Sequence, residues 1–163
     1  MIRTYHLPGL PPTVNDRFAP GLTRKTHGFS TVTKPRIYTT SAVKQWALDV
    51  TAWMLPQKPE CLSGDLAVGL VFRLGDNRKD VDGGIKDVLD ALQARKLPAK
   101  YGGAVDTRGA LYLNDRQVAA LFVVKDRRKG PLGVDIVIGP LAECAEVARA
   151  VVAEGESLAE VRR

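Results

Sequence analysis

The chain has 163 residues, 45% of them hydrophobic, enough for one domain to bury a core without covalent or metal staples. Its two cysteines, Cys61 and Cys144, are isolated and its two histidines, His6 and His27, fall in no ligand pattern, which argues against a disulfide framework and a structural zinc site. With 24 Lys and Arg against 18 Asp and Glu the formal net charge is +6, and no stretch approaches the ~18 apolar residues of a membrane span. The charge is uneven, because residues 141–163 hold five Glu and three Arg, leaving 21 bases against 13 acids before them. A basic body of this kind suits a polyanionic partner, although basicity serves solubility as well. Met1 to Leu10 lacks the apolar run of a signal peptide, so the expectation is a cytoplasmic, reducing compartment and no membrane contact.

In chain order, residues 2–7 read as a strand that Pro8, Pro11 and Pro12 stop. Proline stiffness in the following Pro11-Pro12-Thr13-Val14-Asn15-Asp16-Arg17 holds Asn15 and Arg17 in a defined place. Between Ala19 and Arg36 the bases Arg24, Lys25, His27, Lys34 and Arg36 alternate with Gly, Ser and Thr without an apolar period. This segment is either a mobile arm that wraps a phosphate backbone or a solvated loop. Ser41 caps a helix to about Leu55, with Val43, Trp46, Ala47, Val50 and Trp53 (or Met54) inward and Pro56 at its end; the tryptophans read as core anchors.

Leu66, Val68, Leu70 and Phe72 then alternate with Ala67, Gly69, Val71 and Arg73, the period of a strand with one larger-residue face. Ala94 to Ala110 is irregular, basic and glycine-bearing, which is uncommon without a function. The run Val118 to Val124 predicts a strand buried on both faces. Lys125 to Gly130, with Arg127, Arg128 and Lys129, predicts a charged turn, and Val134 to Ile138 a second strand pairing antiparallel with the first. Leu141, Ala145, Ala148, Val151 and Val152 predict a last helix, with a frayed tail beyond Glu154. The sum is one α/β (α+β) domain with a mixed sheet of about four strands and helices packed on it.

The chain is organised around Asn77 to Leu92, where four acids and three bases crowd into sixteen residues. Ile85, Val88, Leu89 and Leu92 have the i, i+3, i+4, i+7 spacing of an amphipathic helix. Asp82 reads as its N-cap, and Asp82, Lys86 and Asp90 form a polar row at the border of the apolar stripe. If the chain stays extended before the helix, Asp80 and Asp82 point the same way and repel each other unless a cation lies between them. Mg²⁺ answers that need, since hard cations take carboxylate oxygens and keep waters for a phosphate substrate. A solvated helix face with an i, i+4 ion pair is the plain alternative. Asp115, at the head of a sheet strand, adds a third carboxylate and points to metal-assisted phosphoryl chemistry.

These stretches together resemble the RusA family of Holliday-junction resolvases. The family's Pro-Pro-Ser-Asn element is similar to Pro11-Pro12-Thr13-Val14-Asn15, with Arg17 after it. Its Asp-x-Asp-Asn-x-x-Lys-x-x-x-Asp-(Ala)-Leu signature resembles Asp80-Val81-Asp82-Gly83-Gly84-Ile85-Lys86-Asp87-Val88-Leu89-Asp90-Ala91-Leu92. Its Asp-Asp-x-Gln-(Ile/Val) motif, followed by a strand ending in Lys, resembles Asn114-Asp115-Arg116-Gln117-Val118 through Lys125. The likeness spans residues 4–139, so the chain divides into a nuclease domain at 1–140 and a C-terminal helix and tail at 141–163.

The resemblance implies a homodimeric, Mg²⁺-dependent endonuclease, with Mn²⁺ as a substitute, that resolves four-way DNA junctions by paired symmetric nicks in a bacterial or phage-infected cell. It implies Asp80, Asp82 and Asp115 as metal ligands and Lys86 as the essential lysine, with Asp90, Gln117 and Lys125 in support. Asn15, Arg17, Arg24, Lys25, Lys34, Arg36, Arg127, Arg128 and Lys129 are the expected DNA contacts, and Arg95, Lys96 and Lys100 join them on charge. Gly83 and Asn114 depart from the motifs, each replacing a group that tunes the metal or its surroundings. A looser branched-DNA nuclease and a non-catalytic nucleic-acid-binding module are the alternatives.

Overall fold

The computed structural model describes residues 1–12, 18–27, 30–75, 81–127 and 130–156. Four strands form the sheet in the order β1-β8-β4-β7. They are β1 (Arg3–Pro8), β4 (Leu66–Arg73), β7 (Val118–Asp126) and β8 (Gly133–Pro140). The sheet is mixed, since β8 is antiparallel to both β1 and β4 while β7 is parallel to β4. Among the described residues three helices accompany it: α1 (Ser41–Met54), α2 (Asp82–Leu92) and α3 (Cys144–Glu156). Among the described residues no helix is long and apolar enough to cross a membrane.

The alternation of β4 feeds two cores. Leu66, Val68, Leu70 and Phe72 pack with Tyr5 and Leu7 of β1, Trp46, Val50 and Met54 of α1, and Val88 and Leu92 of α2. Ala67 and Val71 turn to the opposite face and meet Val137, Val147 and Val151, which brings α3 onto the sheet. The small residues there permit close approach. A Cβ on Gly69 would lie 1.9 Å from Val151 Cγ2, so α3 rests where glycine leaves room. The final helix buries Val147 and Val151 rather than the predicted Ala145 and Val152, and Leu141 belongs to a short 3₁₀ turn before it.

Several local expectations differ from the fold. The segment read as an irregular arm is an antiparallel ribbon, β2 (Phe18–His27) paired with β3 (Ser30–Thr39). Each strand satisfies the backbone groups of the other along ten paired residues. The predicted hairpin between 118–124 and 134–138 does not form, since β4 lies between β7 and β8. Burial follows that order. Gly133 to Gly139 of β8 is buried throughout, whereas β7 at the edge is half-exposed along most of its length.

Asp135 of β8 is buried, 2.6 Å from His6 Nδ1 and also bonded to Arg73 Nε, which ties β1, β8 and β4 through one carboxylate. Ala94 to Ala110 holds a small ladder between β5 (Arg95–Lys96) and β6 (Val105–Asp106), with a 3₁₀ turn between them. Arg108 clasps Asp106 in a two-point pair and holds its carboxyl down to about 2.

Candidate functional site

The helix that carries the acidic motif enters directly from the sheet. After β4, the amide of Leu74 donates to Asp126 O at 2.7 Å, joining the end of β4 to the end of β7. Val81 stands in the right-handed helical region at φ −93° and ψ −11° and is the N-cap, so the extended alternation breaks before Asp82. Asp82 is therefore the first helical residue rather than the cap, in the turn where the helix dipole favours a carboxylate. Asp80 lies outside the described residues, and so do Asn15, Arg17, Arg128 and Lys129.

The roll of α2 is set by its smallest residue. A Cβ on Gly84 would stand 2.8 Å from the ring of Pro11 and 3.4 Å from Phe72 Cε1, so glycine admits the proline segment between helix and sheet. The buried stripe consequently runs through Gly84, Asp87, Val88, Ala91 and Leu92, and the predicted core residues Ile85 and Leu89 are left half-buried at its edge. They border an open depression of about 360 Å³ whose other walls are Asp82, Lys86, Asp90 and Asp115. The polar row predicted from spacing thus lines one concave surface together with the carboxylate expected from β7.

Each wall is held from behind. Lys86 Nζ donates to Asp90 Oδ1 at 3.0 Å, an exposed i, i+4 pair that aims the ammonium more than it stabilises the fold. Asp115 opens a 3₁₀ turn (Asp115–Gln117) closed by a reciprocal capping box. The Asn114 side chain accepts from the Arg116 amide at 3.1 Å, and Gln117 Oε1 accepts from the amides of Leu113 and Asn114 at 2.8 and 3.2 Å. Gln117 Nε2 also donates to Leu62 O and Gly64 O, so this one carboxamide fastens the turn to the loop before β4. Asn114, expected as the loss of a metal-tuning acid, is the cap of this turn, a role asparagine and aspartate share.

Beneath the depression Tyr112 is fully buried and donates its hydroxyl to Leu89 O at 2.7 Å. Burial, with the nearby carboxylates of Asp90 and Asp115, pushes that hydroxyl far above its ordinary value of 10.0. Sequence reasoning missed Asp87, which is 4% exposed and lines a second cleft, of about 420 Å³, between α1 and α2 with Trp46, Lys44 and Arg95. Nothing in the i, i+4 pattern marked it, because at 100° per residue it lies on nearly the opposite side of the helix from the apolar stripe read from spacing.

As to the remaining bases, Lys125 and Arg127 are exposed at the end of β7, and Lys96 and Lys100 are exposed in the loop after α2. Arg24, Lys25, Lys34 and Arg36 stand on the β2–β3 ribbon, their side chains outside the described set. Arg95 differs from expectation. Its guanidinium donates to Ala47 O at 2.7 Å and Thr51 Oγ1 at 2.9 Å, so it fastens the loop to α1. For a divalent cation the donor chemistry fits, since Asp82 and Asp115 offer hard carboxylate oxygens to one open surface. Among the described residues no three His, Cys, Asp or Glu side chains form a ligand group, and Asp80, the third expected ligand, lies outside them. The sequence matches no family model and no curated protein.

Proposed function

We propose that the chain is a divalent-metal-dependent endonuclease that cuts four-way DNA junctions by paired nicks, acting as a homodimer. The observation that carries this reading is the meeting of Asp82, Asp115, Lys86 and Asp90 around one solvent-open depression on a basic body. Asp82 and Asp115, with Asp80, are the residues that would hold Mg²⁺ or Mn²⁺, and such an ion supplies an activated water and shields the phosphate charge. Lys86 brings a compact positive charge to the phosphate oxygens as charge gathers on them, and Asp90 holds that ammonium in place.

The basic ribbon and the β7 end fit a substrate recognised by its phosphates and its branching rather than by its bases. The test is cleavage of a labelled four-way junction and of its matched linear duplex, with Mg²⁺ or chelator, by the parent chain and by Asp82→Asn, Asp115→Asn and Lys86→Met. Metal-dependent symmetric nicks in the junction alone are expected, with each variant slower by roughly 10²-fold or more while junction binding persists. Cleavage by Asp82→Asn or Asp115→Asn at the parent rate overturns the assignment. Tight binding by the parent without a cut, under either metal, reduces the protein to a binding module.

A further inference from the structure

Asp82 and Lys86 belong to α2, whereas Asp115 opens a turn well downstream of it, so the spacing of the three depends on the ties between the two segments. The last turn of α2 carries no basic residue, and two of its terminal carbonyls are taken by the segment that leads to Asp115. Leu111 N donates to Leu92 O at 2.8 Å, and Ala94 N donates to Tyr112 O at 2.8 Å. The Tyr112 hydroxyl reaches one turn further back, to the carbonyl of Leu89 at 2.7 Å, a residue that itself borders the depression. The helix is thus held at two levels, about 4.5 Å apart along its axis, which fixes its tilt as well as its distance. On its other side the segment is bound to the loop before β4. Leu62 N donates to Leu111 O at 2.8 Å, and Gln117 fastens the turn to Leu62 and Gly64.

We infer that Tyr112 is a positioning residue of the metal site, whose buried hydroxyl sets Asp82 and Lys86 in place relative to Asp115. This role rests on the proposed metal site and belongs to a side chain that lines no wall of it. Removing the hydroxyl while keeping the ring leaves the backbone ties at Leu92 and Ala94, both at the C-terminal end of α2. Asp82 stands at the opposite end of this 11-residue helix, about 15 Å from Leu92, and moves furthest in any tilt. Side chains that share an ion must be held to within about 0.5 Å. The site therefore loses affinity for the ion although both carboxylates remain.

The test uses the full chain without DNA. Mn²⁺ is titrated in and the free ion is read by electron paramagnetic resonance, with helix content and the urea midpoint recorded for each protein. Beside the parent stand Tyr112→Phe, a protein with para-aminophenylalanine in place of Tyr112, and Val151→Ala, a destabilised control in the core under α3. A folded Tyr112→Phe is expected to bind Mn²⁺ roughly tenfold more weakly than the parent. The amino variant keeps a donor for Leu89 O and should recover most of that loss, while Val151→Ala should bind as the parent does. Should Tyr112→Phe fail to fold, para-fluorophenylalanine, which fills the hydroxyl's space without donating, takes its place. Equal affinity in Tyr112→Phe and parent, no recovery by the amino variant, or an equal loss in Val151→Ala overturns the inference and leaves the metal site standing. A parent that binds no Mn²⁺ overturns the metal site and this role together.

Discussion

Tyr112 links the candidate site to the stability of the fold, and its behaviour with pH is open to test. Its hydroxyl is buried and raised, so the folded chain holds the neutral form while the unfolded chain ionises near its ordinary value of 10.0. The sign follows: the contribution is complete below pH 10 and is lost as pH rises toward the folded value, because only the unfolded state releases the proton there. Unfolding midpoints in urea are expected to fall from about pH 10 upward, and to fall less steeply in Tyr112→Phe. That variant starts about 1 kcal/mol lower for the lost bond to Leu89 O. Parallel curves for the two proteins would remove Tyr112 as the cause. At the same scale, the capping box of Asn114 and Gln117 was not read from the sequence, where Asn114 stood only for the loss of a metal-tuning acid. Asp87 was not legible, because a buried carboxylate inside an amphipathic helix looks in sequence like one more surface charge.

Among the elements, β4 is where local pattern and tertiary structure agree. Its two-residue period assigned Leu66, Val68, Leu70 and Phe72 to one face, and both faces prove to be cores. What the pattern could not supply was neighbourhood. An apolar run followed by a charged turn and a second apolar run reads as a hairpin, yet β4 enters between them because its parallel pairing with β7 extends over the whole strand. The junction of β4 with α3 gives a sharp prediction. Gly69→Ala places a methyl against Val151 and is expected to lose about 1–3 kcal/mol in denaturant unfolding. Val151→Ala removes the opposing atoms, so the double variant should recover about 1 kcal/mol or more relative to the sum of the singles. Strict additivity would mean that α3 shifts away freely and that its seat on the sheet is loose.

For the whole molecule the question is how a net charge of +6 is spent. Arg95 and Arg108 are held by partners within the chain, whereas Lys96, Lys100, Lys125 and Arg127 are exposed in the loop after α2 and at the end of β7. The β2–β3 ribbon pairs strand to strand over ten residues and carries four of the bases, Arg24, Lys25, Lys34 and Arg36. Its role as a charge source is open to test apart from folding. Replacing Arg24, Lys25, Lys34 and Arg36 by alanine should leave the urea midpoint nearly unchanged, because the backbone pairing of the two strands needs none of these side chains. Binding of a four-way junction should weaken and lose salt dependence, since each phosphate no longer neutralised lowers the slope of log K against log salt by about 0.9. If all four bases meet phosphates, the slope falls by roughly 3 to 4. An unchanged slope would make the ribbon a solvated surface and move DNA recognition to Lys125, Arg127 and the loop after α2. A lowered slope with saturated cleavage intact would separate the ribbon, which gathers the substrate, from Asp82, Lys86 and Asp115, which act on it.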